Sequence, residues 1–188
     1  MKRIYLISFF VLFFVSSLFA QETQIGLKAG LNISDIGGKN VGYVTRLALH
    51  AGGFAEFVMT PFFSVQVDLM YSQQGAAVDR SREVMLNYHY LNVPVVGKAY
   101  FYEDASFDLG VQYGYLLKAV IDNSIYPSDT EIKKHDFAAV VGLSYVLSDK
   151  VLFSLRYNIG LNSTIDENVI WELKKTNRVL QISLGYIF

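Results

Sequence analysis

The stretch VLQISLGYIF, residues 179–188, sets Leu180, Ile182, Leu184, Tyr186 and Phe188 at every second place, with Gln181, Ser183 and Gly185 between them. A period of two belongs to a β-strand whose faces meet different surroundings. The same period recurs seven more times upstream. Ile25 to Ile33 alternates with Gly26, Lys28, Gly30 and Asn32, and Leu47 to Phe57 with His50, Gly52 and Glu56. Val65 to Tyr71 stands against Gln66 and Asp68, Leu91 to Phe101 against Asn92, Pro94 and Lys98, and Phe107 to Leu117 against Asp108, Gln112, Gly114 and Lys118. Phe137 to Leu147 and Val151 to Leu161 complete the set, facing Asp136, Gly142 and Ser144 and then Ser154, Arg156 and Asn158. No stretch after Ala20 keeps the i, i+3, i+4 spacing of an amphipathic helix, so the fold class is all-β.

An even number of antiparallel strands closes with both termini at one end. The connections have their own rhythm. Short ones centre on Thr60 and Pro61, on Glu103 and Asp104, and on Ser148 to Lys150; longer polar ones fall at about 35–46, 75–86, 122–135 and 163–176. Short and long alternate throughout, as periplasmic turns and extracellular loops do in an up-and-down transmembrane barrel. The expectation is an eight-stranded antiparallel barrel with its termini in the periplasm.

Alternation alone does not say which face meets lipid, because a soluble barrel hides the same apolar residues inside. The composition of the other face decides. It holds Gly, Ser, Asn and Gln together with Lys28, Glu56, Asp68, Lys98, Asp108, Lys118 and Arg156. A Lys or Arg at the lipid midplane costs about 2–4 kcal/mol, whereas opposite charges can pair inside a narrow lumen. These seven residues are therefore expected to form a structural lumen network. An eight-stranded barrel is filled by its own side chains, so the network is favoured over a permeation path. Tyr71, Tyr113, Tyr115, Phe137 and Tyr157 towards the loops, and Phe101, Phe107, Tyr145 and Tyr186 towards the turns, suit interfacial girdles. Pro94 removes a ladder donor and calls for a bulge or a locally unpaired site.

The first twenty residues differ in kind. Lys2 and Arg3 precede an apolar run from Ile4 to Val15, and Ser16 to Ala20 forms a small-residue exit. That is the pattern of a cleaved secretory signal, too short and too interrupted by serine for a spanning helix. The expected division is a signal peptide at 1–20 and one barrel domain at 21–188. Removing Lys2 and Arg3 leaves 14 basic residues against 17 acidic, a net charge of about −3 that offers nothing to nucleic acid. Cysteine is absent, which excludes disulfides and an acylated anchor.

The segment Tyr90-Leu91-Asn92-Val93-Pro94-Val95-Val96-Gly97-Lys98 resembles the YLxxPxxxK stretch of the PorT-like outer-membrane β-barrel domain, a "porin family" common in Bacteroidetes. GLKAGLNIS, Gly26 to Ser34, resembles the first strand of that family. With the strand layout, the resemblance spans the mature chain and implies an integral outer-membrane barrel; the family covers several roles, and its porin label does not by itself imply transport. Leu180, Ile182, Leu184, Tyr186 and the terminal Phe188 likewise resemble the signal that the barrel-assembly machinery recognises.

Candidates for chemistry are few. His135 beside Asp136 is the one histidine with an adjacent carboxylate, and Ser124 or Ser128 could serve as nucleophile only in a geometry that sequence does not give. Asp122, Asp129, Glu131, Asp166, Glu167 and Glu172 could hold a cation if the loops converge, but Lys133, Lys134, Lys174 and Lys175 stand among them, the mixture of a solvated loop. Trp171, amid Val169, Ile170 and Leu173, could dock on the rim or touch a partner. The reading is a non-enzymatic scaffold with no catalytic, metal or cofactor site, whose loops serve adhesion, envelope interaction or recognition. Its expected partners are outer-membrane lipid, the assembly machinery and an envelope or extracellular protein. A narrow pore is the alternative, and a lipid-modifying enzyme comes third.

Overall fold

The computed structural model describes residues 23–37, 45–77, 85–121, 133–162 and 176–188. The expected signal peptide lies outside them, as do Trp171, Ser124, Ser128 and all six acidic loop candidates. The chain forms eight strands: β1 (Thr23–Gly37), β2 (Arg46–Thr60), β3 (Phe63–Ala77), β4 (Met85–Tyr102), β5 (Ala105–Ile121), β6 (His135–Ser148), β7 (Val151–Gly160) and β8 (Thr176–Ile187). Each pairs antiparallel with its neighbours, and β8 returns to β1 to close the barrel. Closure leaves no sheet edge, the condition for crossing lipid with strands. The last residue takes part: Phe188 N–H donates to Ile25 O at 2.9 Å, and Ile187 N–H to Lys150 O at 2.8 Å.

The two faces separate as alternation requires. Leu47, Leu69, Leu109, Val111 and Leu184 are exposed on the outer wall, Leu109 to 72%. All nine aromatic residues assigned to the girdles are exposed as well. The inward residues are buried, and they are not uniformly polar: Phe54, Leu152 and Ile187 pack together near the turn end, with Val146 against them.

The three short connections share one device. Each entering strand carries one extra residue, Met59, Phe101 or Leu147, between register pairs such as Val58↔Ser64 and Thr60↔Phe63. These bulges sharpen the twist just where the chain reverses. Pro94 introduces no bulge. The β3–β4 pairs stop at Val67↔Val95 and resume in unchanged register at Met70↔Asn92, so the missing donor is met by a locally unpaired site.

Two boundaries differ from expectation. β3 runs to Ala77 and β4 begins at Met85, six residues before Leu91, because Asn87-Tyr88-His89-Tyr90 continues the alternation with its bulky tyrosines turned inward. A fourth bulge lies at the loop end of β5. Tyr90 pairs with Leu116 but His89 with Lys118, so Leu117 is the extra residue and the inward–outward parity changes there. An outward charge tests the lipid-facing assignment directly. Val111→Arg is expected to destabilise the barrel by about 2–4 kcal/mol, and Phe101→Arg near the turn end by about 0–1, in urea unfolding from phospholipid vesicles.

Candidate functional site

The lumen is where the chemistry of this chain gathers, and its centre is an ionic chain across the barrel. Arg156 on β7 reaches the opposite wall: its Nη1 lies 2.8 Å from Asp68 Oδ2 on β3. Its Nε donates to Asp108 Oδ2 on β5 at 2.8 Å, and its Nη2 stands 2.7 Å from the same oxygen, off the hydrogen-bond axis. Lys28 on β1 pairs with Asp68 Oδ2 at 2.5 Å. The remaining carboxylate capacity is used too, Gln66 donating to Asp68 Oδ1, Ser106 to Asp108 Oδ1 and Ser144 to Asp108 Oδ2. A second pair lies nearer the turns, where Lys98 Nζ meets Glu56 Oε2 at 2.6 Å, and Ser64 and Tyr100 donate to Glu56 Oε1.

Glycine makes room for this arrangement. A Cβ on Gly142, across β6 from Arg156, would stand 2.5 Å from Leu155 O and 2.8 Å from Arg156 Cγ. Any side chain there would push against backbone on one side and the arginine stem on the other.

Towards the loops the ions give way to amides. Asn158 donates to Gln181 at 2.8 Å and to Gln112 at 3.3 Å, Gln181 to Asn32 at 3.0 Å, and Asn32 to Ser72 at 2.9 Å. Asn177 donates to Gln74 beyond them. On the β4–β6 side, Asn92, Gly114 and Asp136 share one register row. A Cβ on Gly114 would lie 2.7 Å from Asn92 Oδ1, 3.4 Å from Asp136 Cβ and 3.5 Å from Tyr90 Cδ1, so the three side chains converge over that glycine. The Tyr90 hydroxyl, both Asn92 amide atoms and Asp136 Oδ1 are buried there without protein hydrogen-bond partners.

Of the seven charges assigned to the lumen from sequence, Lys28, Glu56, Asp68, Lys98, Asp108 and Arg156 are buried there and ion-paired. Lys118 is not. The bulge at Leu117 turns it to the exposed outer wall beside His89. Leu180, Ile182, Leu184, Tyr186 and Phe188 line the outer face of β8 and its end, with Leu184, Tyr186 and Phe188 exposed.

His135 and Asp136, adjacent in sequence, point to opposite faces. Asp136 is 6% exposed in the lumen, while His135 is exposed outside, its Nδ1 2.7 Å from the Tyr113 hydroxyl. They form no acid–base pair. Among the described residues no three His, Asp or Glu side chains gather as metal ligands. Sequence reading missed the outward tyrosine–histidine bonds, Tyr71–His89 and Tyr113–His135, whose signal is a diagonal cross-strand pairing visible only once the register is known.

A closed eight-stranded wall, apolar outside and ionic within, defines an integral outer-membrane barrel. The sequence profile of the outer membrane protein beta-barrel domain matches residues 19–166, and the chain belongs to that family, which places it in the outer membrane. No curated protein matches it by sequence. Among solved structures it resembles Ail, the attachment invasion locus protein of Yersinia pestis, at 14% identity and a TM-score of 0.54 over 89% of this chain and 99% of that one. Ail in complex with the heparin analogue sucrose octasulfate gives the same identity and coverage with a TM-score of 0.55. Neisserial surface protein A matches at 11% identity and a TM-score of 0.53, over 88% of this chain and 95% of that one. At such identities the likeness is one of fold.

Removing one partner of the ionic chain strands a buried charge. Arg156→Leu is expected to cost about 3–5 kcal/mol in urea unfolding from vesicles, and adding Asp108→Asn to recover part of that loss, because Asp108, the carboxylate left without a cation, is then neutral.

Proposed function

We propose that this chain is a non-enzymatic outer-membrane scaffold that holds its four long polar connections outside the cell for adhesion, envelope interaction or recognition. The observation carrying this reading is the Asp68–Arg156–Asp108 bridge, which ties opposite walls together across the lumen. A barrel filled in this way offers a small solute no straight path. The wall supplies rigidity, and recognition falls to the connections between strands.

Termini and short turns belong on the periplasmic side in this class of barrel, which leaves the long connections facing out. The separation of His135 from Asp136 removes the best support for chemistry at the rim. The fold shared with Ail, a protein named for attachment and invasion, is compatible with an adhesive role. Within the family we read the chain as PorT-like. In its YLNVPVVGK segment Tyr90, Asn92, Pro94, Val96 and Lys98 all face the lumen, so the motif corresponds to one filled inner wall. The outward residues of β8, ending in Phe188, are the proposed contact for the assembly machinery.

A narrow pore is the second reading, favoured by the unpartnered Asn92 and Asp136 atoms in the loopward half of the lumen. Two measurements test the proposal. Purified protein in planar bilayers is expected to give no discrete conductance, and steady single-channel steps would favour the pore. A short epitope inserted at 122–132 is expected to be labelled by antibody on intact cells, and one inserted between Glu103 and Asp104 only after permeabilisation. The reverse pattern would contradict the orientation.

A further inference from the structure

On the outer wall of β3 to β6 the loop end carries basic groups that the lumen network does not use. On β3, β4 and β5 the register row Gln73↔His89↔Lys118 lies at the loop end, and one step towards the turns stands the row Tyr71↔Leu91↔Tyr115↔His135. The bulge at Leu117 is what brings Lys118 into this surface; unbroken alternation would have turned it inward.

The two histidines are held alike. The Tyr71 hydroxyl lies 2.6 Å from His89 Nδ1 with the rings stacked 6.0 Å apart, and the Tyr113 hydroxyl lies 2.7 Å from His135 Nδ1 with the rings 5.9 Å apart. Tyr115 adds an edge contact to His135 at 5.6 Å. A tyrosine hydroxyl that donates to Nδ1 leaves the imidazole proton on Nε2, the nitrogen then free to donate to something else. Among the described residues Lys118 has no carboxylate partner, and no Asp or Glu stands on the outward face in the loopward half of β3 to β6.

Tyrosines of a girdle sit at headgroup level, and a lysine or imidazole N–H beside them is placed to meet an anion at the interface. We infer that this arc, His89, Lys118 and His135 framed by Tyr71, Tyr113 and Tyr115, seats the phosphorylated headgroup of an outer-leaflet glycolipid. Phosphate is the complementary group: it accepts charge-assisted hydrogen bonds from the ammonium and the imidazoles, while the acyl chains of the lipid that carries it lie along the apolar wall below. The inference rests on the orientation proposed above, since the arc is at the loop end.

The test uses the full chain purified from its own membrane in mild detergent, with co-purified glycolipid counted per barrel by mass spectrometry. The wild type is expected to retain phosphorylated glycolipid, and the triple variant Lys118→Gln, His89→Gln, His135→Gln to retain about tenfold less. Both should show the same heat-modifiable mobility, which separates lost binding from lost folding. Lipid re-added to stripped protein is expected to bind in its phosphorylated form and not after enzymatic dephosphorylation. Equal retention by the variant, equal binding of the dephosphorylated lipid, or displacement by inorganic phosphate would each overturn the assignment. Lost selectivity with correct surface labelling overturns the site alone. Intact selectivity with reversed labelling overturns its outer-leaflet placement.

Discussion

Asp68 and Asp108 can stand in the middle of a membrane barrel only because Arg156 lies between them. An isolated carboxylate taken out of water carries a penalty of several kcal/mol, and the loss is offset only where geometry is good and the remaining lone pairs are bonded. Here one guanidinium on β7 serves two carboxylates, from β3 and β5, Lys28 adds a second cation to Asp68, and Gln66, Ser106 and Ser144 take up remaining oxygen capacity. With Lys98 against Glu56 the ion-paired charges of the lumen balance, three basic against three acidic, and Asp136 stands apart from them. Such a fork suits arginine in particular, since lysine presents a point charge and could not face two carboxylates in one plane.

The rest of the lumen is arranged around that centre. Towards the turns, Phe54, Leu152 and Ile187 fill space with apolar volume, and towards the loops asparagine and glutamine continue the cross-barrel contacts without charge. Ions are tied to one another at mid-barrel and near the turns, and neutral amides, cheaper to leave partly bonded, stand nearer the loop end. The Tyr90, Asn92 and Asp136 group over Gly114 is the least satisfied part of this filling. Function at the outer end can then change in the connections while the wall keeps its shape.

Much of this was legible in the chain. Period two gave the strands, the composition of the second face gave its orientation to lipid, and Thr60-Pro61, Glu103-Asp104 and Ser148 to Lys150 marked the turns. Lys118 shows where such reading fails. Alternation is a parity count, and a single inserted residue, Leu117, reverses it without leaving any mark in composition. Asn87 to Tyr90 were left out of the strand for another reason: tyrosine facing inward and histidine facing outward invert the usual hydrophobic bias, so the alternation read from Leu91 hid the start of β4 at Met85. His135 and Asp136, named as a candidate pair and set aside, are parted because adjacency in sequence means opposition on a strand. The cross-lumen partners could not be paired from sequence, since Asp68 and Arg156 lie on strands that never touch through the backbone.

The claim that the lumen is closed by this bridge can be put to the guanidinium itself. Nitrogen NMR of Arg156 in lipid nanodiscs should give separately resolved Nη resonances, with N–H protons exchanging with water far more slowly than those of a solvated arginine. A single averaged guanidinium signal in rapid exchange with water would mean that Arg156 hangs in a hydrated channel, and the account of a barrel locked from within would be wrong.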